Sequence, residues 1–438
     1  MNIVGTKYSI SFASYLYYLI PFVLLTGPFL PDLFLSTISI IFLIIAINNR
    51  NFKYFNNIPF YIFIVFYFYL LMSSLLSEFS NFSLKSSFVY FRFGIFVLAT
   101  WFLIDHKSNF IKNFTIFLLI TFTIALFDGY SQYIFQRNLF GHVWDWSYGT
   151  TRLRLLLDDK LILGGYLARI FPFLVALIVF NFKQTKKSYF IIFVIFILTD
   201  IIIYISGERT ALALMLLSSI MMIFLMSKYK MLRIISLIIS ILVIIAITII
   251  SPKIKDRNID LTMEQLGITQ VNSIASTNTI KKLNLFSPIH EFHYKSALLM
   301  FFDNPIIGIG ANNFRKLCLN DKYYTLPKQL HYAYKSSSCS THPHNIYIQI
   351  LTETGLIGFL IFLLLPIYLL FLIVSHIIAM IFNSEKKFND YEICLIIAIV
   401  LSLWPLVPSN NFFNNWINVI YFLPIGFLLH SIYTKKNK

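Results

Sequence analysis

Thr341-His342-Pro343-His344-Asn345 runs straight into IYIQILTETGLIGFLIFLLLPIYLLFLIVSHIIAMIF, residues 346–382. That apolar run exceeds the roughly 20 residues needed to cross a bilayer as a helix. Apart from two tyrosines, its ionisable side chains are Glu353 and His376. The reading is a membrane helix with two imidazoles standing where it meets water. Proline suits a first helical turn, because the N–H it lacks would have had no partner there, so Pro343 is expected in that turn. The neighbouring free amides and the helix dipole favour an anion and disfavour a second positive charge, which helps keep a nearby histidine neutral.

The rest of the chain has the same character. Apolar residues make up 58% of its 438 positions, aromatics 18% and charged residues only 12%, with a mean hydropathy of +0.75. A soluble domain needs far more charge on its surface, so the fold class is all-α and polytopic in the membrane. Twelve spans are expected, near 12–29, 32–48, 58–77, 86–104, 114–135, 161–182, 188–206, 210–227, 233–251, 344–382, 391–407 and 416–433. This divides the chain into membrane helices over 1–251, a large loop over 252–341 between spans 9 and 10, and membrane helices over 342–438. The first apolar run lacks a small-residue cleavage site and is followed at once by another span, which argues against a cleaved signal peptide.

Lysine and arginine fall in alternate short loops: Arg50 and Lys53; Lys107 and Lys112; Lys183, Lys186 and Lys187; Lys228, Lys230 and Arg233; Lys386 and Lys387; and the tail Lys435, Lys436 and Lys438. The positive-inside rule puts these loops and both termini in the cytoplasm, and the 252–341 loop on the far side, the outside or the periplasm. The net charge of +16 is mostly this topological signal. It points to lipid headgroups as partners and not to nucleic acid. Cys318 and Cys339 share the external loop, where an oxidising compartment favours a disulfide that would tie down the approach to His342. No spacing of Cys or His suggests a zinc site, and no cofactor is expected.

Charges outside the cytoplasmic loops are candidates for function. Arg92 and Arg169 lie about two turns inside predicted spans, where an ionisable group is costly and marks a pathway or binding role unless it snorkels outward. Glu208 and Arg209 form a turn at the external end of a span, and a guanidinium held there grips phosphate bidentately. The 136–160 loop carries Trp144 and Trp146, which fit an interfacial belt or a sugar-stacking platform, and the pair Asp158-Asp159, a partner for Arg152 or Arg154. Gly308-x-Gly310 lacks the context of a nucleotide fold, and no Walker sequence occurs, which disfavours an ATP-driven transporter. Glu353 follows His344 by nine residues, on the opposite side of an ideal helix, so a buried hydrogen-bonding role suits it better than contact with His344.

Three stretches together resemble the O-antigen ligases and related lipid-linked polysaccharide polymerases. They are Ser206-Gly207-Glu208-Arg209-Thr210; Asp303-x-Pro305-x-x-Gly308-x-Gly310-x-x-x-Phe314; and His342-Pro343-His344-Asn345 followed by Gln349, Glu353, Gly355 and Gly358. The resemblance implies a glycosyltransferase that moves a glycan from a polyprenyl diphosphate to an acceptor hydroxyl, lipid A-core in the ligases, at the periplasmic face. It maps the family's general base onto His344 and its diphosphate clamp onto Arg209, with His342 and Asn345 in the same motif. Many members carry an arginine four residues before a loop aromatic. Here Tyr294 has His290 at that spacing, so His290, His293, Lys295 or Arg315 is left to serve as the second phosphate ligand. A polymerase shares this chemistry. A lipid-linked oligosaccharide transporter would instead place charges along a mid-membrane path.

Overall fold

The structure is a computed structural model that describes residues 3–143, 152–157, 160–182, 185–266, 268, 286–325, 339–382 and 387–436. Its helices are α1 (Ile3–Val23), α2 (Phe29–Asn48), α3 (Ile58–Leu75), α4 (Ser80–Ser87), α5 (Phe91–His106), α6 (Phe110–Phe135), α7 (Leu163–Asn181), α8 (Lys186–Ile205) and α9 (Arg209–Leu225). There follow α10 (Lys230–Ile250), α11 (Pro252–Lys255), α12 (Leu261–Gln265), α13 (Pro288–Asp303), α14 (Phe314–Leu317), α15 (Ile346–Phe382), α16 (Asp390–Ser402) and α17 (Asn415–Lys436). Among the described residues the one β contact is an isolated bridge between Arg137 and Val143. The chain is a multi-pass membrane protein: among the described residues ten helices are long and apolar enough to cross a bilayer.

Two of the twelve expected spans are shorter than their sequence suggested. The run 210–227 is α9, with 17 residues. The run 391–407 yields only the 13 residues of α16, about 20 Å of helix. The apolar stretch continues past Ser402, but Pro405 and Pro408 cannot extend a helix, and the chain turns into an irregular segment before α17. That segment reaches the site described below. Arg233, assigned above to a cytoplasmic loop, lies within the first turn of α10 and is fully buried. Its guanidinium takes Asp200 of α8 in a two-pronged pair, at 2.8 and 2.9 Å, which offsets the cost of burying it.

Helices on both sides of the 252–341 loop share one core. Phe427 of α17 packs within 6.3 Å of Tyr17 and within 5.1 Å of Phe173, centroid to centroid, joining the C-terminal helix to α1 and α7. A second, smaller core in the loop gathers Ala297, Met300, Ile309, Phe314, Leu317 and Tyr323 around Cys318, which is bonded to Cys339.

The long helix α15 is broken at Gly355, which has φ 65° and ψ −172°. A break frees backbone groups that need partners once they are buried. The 305–310 loop satisfies them. Leu356 N–H donates to Pro305 O at 2.8 Å, while Ile309 and Gly310 N–H donate to Thr352 and Glu353 O at 3.1 and 2.9 Å. Ser73 and Tyr69 of α3 add hydroxyl donors to Ile307 O and Thr354 O at 2.9 and 3.0 Å. Two glycines make this approach feasible: a Cβ on Gly308 (φ +81°) would sit 2.4 Å from Gly355 N, and one on Gly355 would sit 2.3 Å from Ile306 O. The Asp303–Phe314 motif is therefore a backbone splice.

Gly355→Ala or Gly308→Ala should destabilise the protein by on the order of 3 kcal/mol or more, because backbone must move. Gly141→Ala is the matched control, with φ +81° but nothing within 4 Å. It should cost only about 1–2 kcal/mol of left-handed strain. Thermal unfolding in detergent micelles reads the difference, and equal losses would show that the splice adds nothing.

Candidate active site

Four imidazoles meet where α13 passes the start of α15. The His344 ring lies 4.1 Å from His342, 5.3 Å from His293 and 5.4 Å from His290, centroid to centroid. The helix begins at Ile346, later than expected, so Pro343 precedes the first turn instead of occupying it. Asn345 is the cap: its Oδ1 accepts from Tyr347 and Ile348 N–H at 3.0 and 3.2 Å, and its Nδ2 donates to Pro405 O. The main chain must reverse between Pro343 and this cap, and His344 does so with φ 59°, a left-handed conformation that His tolerates better than most residues. Ser409 N–H holds the bend by donating to His344 O at 2.8 Å.

His342 is pinned by its surroundings. Its Nε2 stands 3.1 Å from Ser409 O, which only accepts, so Nε2 carries the proton and Nδ1 accepts from the Thr341 hydroxyl at 2.9 Å. Burial lowers its pKa to about 4 despite the Ser409 carbonyl. Burial, followed by the three neighbouring imidazoles, lowers that of His344 to about 2. The histidines are neutral as expected, but through desolvation and mutual repulsion more than through a helix dipole. His290 is shifted down as well, by burial and then by Arg209.

His290 and His344 open onto a cavity of about 500 Å³ formed by the near ends of α7, α9 and α17, the 408–410 segment and the turn after α10. Among the described residues Arg152, Lys160, Arg169, Arg209 and Arg257 line it, with one carboxylate, that of Glu208. Glu208 is buried and does not lie idle beside Arg209. It accepts from Gly164 and Gly165 N–H at 2.7 and 3.2 Å, as the anion of the α7 N-terminus, and pairs with Arg152 at 3.4 Å. Burial raises its pKa, and Arg152 opposes the rise. Arg209 donates to Thr262 Oγ1 at 3.2 Å, and Arg257 to Gly207 O at 3.2 Å, so the stretch after α10 closes over the Glu208-Arg209 turn. Arg169 donates to Gly165 O within its own helix.

Other expected site residues sit elsewhere. Arg92 pairs with Asp32 at 2.6 Å and does not line the cavity; that partner accounts for its depth. Lys295 is exposed on the far face of α13 from His293, beside the Phe292 ring. Arg315 donates to Asn312 Oδ1 at 2.8 Å, and the same oxygen takes Asn411 Nδ2 at 2.8 Å. Of the four groups weighed as second phosphate ligand, His290 alone lines the cavity. Glu353 is fully buried, accepting from Phe314 N–H at 3.1 Å and Gln349 Nε2 at 3.0 Å, while Gln349 also holds Asn411 and Phe412. Trp144, Asp145, Trp146, Asp158 and Asp159 lie outside the described residues. Among the described residues no group of three or more His, Cys, Asp or Glu is disposed to hold a metal ion.

Sequence reasoning missed Arg257 and Ser409. Arg257 carried a usable signal, a cation just past the end of α10, on the same end of the bundle as Arg209. Ser409 carried none, since its backbone does the work.

Residues 192–363 match the family described as O-antigen ligase. All three stretches that carried the resemblance fall within that match, so the resemblance stands. No curated protein matches the chain.

The depressed imidazoles link stability to pH. In the unfolded chain these groups take up protons near pH 6.5, while in the folded protein His342 and His344 refuse them down to about 4 and about 2. Stability is therefore fully present above about 6.5 and falls as the pH drops toward about 4, by up to about 1.4 kcal/mol per pH unit for each group. Melting midpoints across that window should fall with acidification, and His342→Gln should flatten the slope. A slope unchanged by that substitution would refute the assignment.

Proposed function

We propose, taking the O-antigen ligase match as premise, that this protein transfers a glycan from a polyprenyl diphosphate carrier to an acceptor hydroxyl, as in ligation of O-antigen to lipid A-core. It would do so at the periplasmic face of a bacterial inner membrane, with both termini cytoplasmic. One observation carries the reading: Arg209 and His344, which the resemblance puts in the roles of clamp and base, line a single cavity whose described lining holds five cations and one carboxylate.

In this scheme the diphosphate enters among Arg209, Arg257, Arg152 and Arg169. Its negative charge raises the proton affinity of His344, converting an imidazole held neutral by its neighbours into an effective base. His344 takes the acceptor hydroxyl proton as the oxygen forms a bond to the anomeric carbon. The bond from that carbon to the diphosphate oxygen breaks with its electron pair, and the arginines stabilise the charge gathering on the leaving group. The products are the glycosylated acceptor and the polyprenyl diphosphate, with the proton on His344. His342, with both ring nitrogens engaged, positions His344 and takes no proton. Clustering of the charges at one end of the bundle supports transfer over transport.

Purified His344→Ala, given polyprenyl diphosphate glycan and acceptor, should remain folded and lose about 10²- to 10⁴-fold in transfer rate. Arg209→Ala should lose about 10²- to 10³-fold. Near-normal transfer by both variants would remove the mechanism. In cells, loss of a ligase leaves full-length polymer on its lipid carrier, whereas loss of a polymerase leaves single repeat units on lipid A-core.

A further inference from the structure

Helix α13 is apolar on two sides, and the described residues cover only one. His293, Ala297 and Met300 are buried against α15 and the small loop core. The opposite side carries Phe292, Leu299 and Phe302 with Lys295 among them at helical spacing, a stripe whose apolar positions continue past the helix end to Ile306. Phe302 is 70% exposed and Ile306 61%. A soluble surface does not leave such a stripe to water.

What covers it follows from where it ends. Ile306 O accepts from Ile357 N–H at 3.4 Å and from the Tyr69 hydroxyl at 3.2 Å. Leu356, Ile357 and Leu360 are outward-facing residues of the spanning helix α15, and Phe68 and Met72 are outward-facing residues of the spanning helix α3. The stripe is thus continuous with the lipid-facing belt of the bundle. Its charges are turned aside: Lys295, within the stripe, reaches back over the Phe292 ring, and Asp303 pairs with Lys322 at 2.7 Å. Apolar residues on one side with a long-stemmed lysine among them, its ammonium free to snorkel, is compatible with a helix lying in a membrane interface.

We propose that the outward face of α13 is embedded in the lipid leaflet on the cavity's side of the membrane, with acyl chains as its partner. The same helix carries His290 and His293 on its inner side, so the leaflet sets the height of the imidazole cluster against a substrate whose diphosphate lies at headgroup level.

The full-length protein in liposomes provides the test, with a nitroxide on Leu299→Cys, Phe302→Cys or, as the aqueous reference, Asn49→Cys. The native cysteines do not compete for label, because Cys318 and Cys339 are bonded and Cys394 is buried. At Leu299 and Phe302 the label should collide several-fold more with oxygen than with a water-soluble nickel chelate, relative to the label at Asn49. A ratio equal to that at Asn49 would put the stripe in water. Protection from both reagents would mean that a protein surface covers it. Either result overturns the proposal, and neither depends on transfer activity.

Discussion

The broken helix at Gly355 is the constraint from which the rest of the site follows. A continuous α15 would carry its N-terminal segment onward along one axis; the break frees that segment to take its own direction. The freed backbone groups need partners once they are buried, and the 305–310 loop provides them. The same exchange pulls α13, immediately upstream, against the first half of α15, where Ala297 O accepts from Thr352 Oγ1 at 3.0 Å. His290 and His293 are thereby carried to His344. Residues more than 50 positions apart thus become neighbours because one glycine lacks a Cβ.

A second splice works in parallel. Helix α16 stops at Ser402, and the irregular segment that follows gives its main chain to the histidine motif: Leu403 O to the Tyr347 hydroxyl, Pro405 O to Asn345, and Ser409 N–H and O to His344 and His342. Buried backbone groups need partners, and here they are spent on fixing the tautomer of one imidazole and the bend of the next. Gln349 and Glu353 join the two splices through Asn411 and Phe314. The polar residues following the histidines therefore serve the frame.

Electrostatically the cavity is lopsided by design of its contacts. Glu208 is engaged by the α7 N-terminus and Arg152, and the described lining is otherwise cationic. Uncharged imidazoles border those cations because burial and mutual proximity exclude protons from them. An anion drawn into the cavity would act on both at once, compensating the guanidiniums and making His344 more basic.

Apolar composition and the spacing of lysines were enough to read a multi-pass helical membrane protein, because a bilayer demands long apolar runs whatever their order in space. The motifs around Arg209 and His344 were equally legible, since the chemistry of guanidinium and imidazole is local. Tertiary structure alone decided which charges share a cavity: Arg257 joined it while Arg92 and Lys295 did not, and Arg233, counted as a loop cation, proved to be a buried partner of Asp200. It also decided that α16 ends early and that α15 is broken. Those outcomes rest on backbone hydrogen bonds between segments far apart in the chain, and hydropathy, a property of neighbours in sequence, contains no record of them.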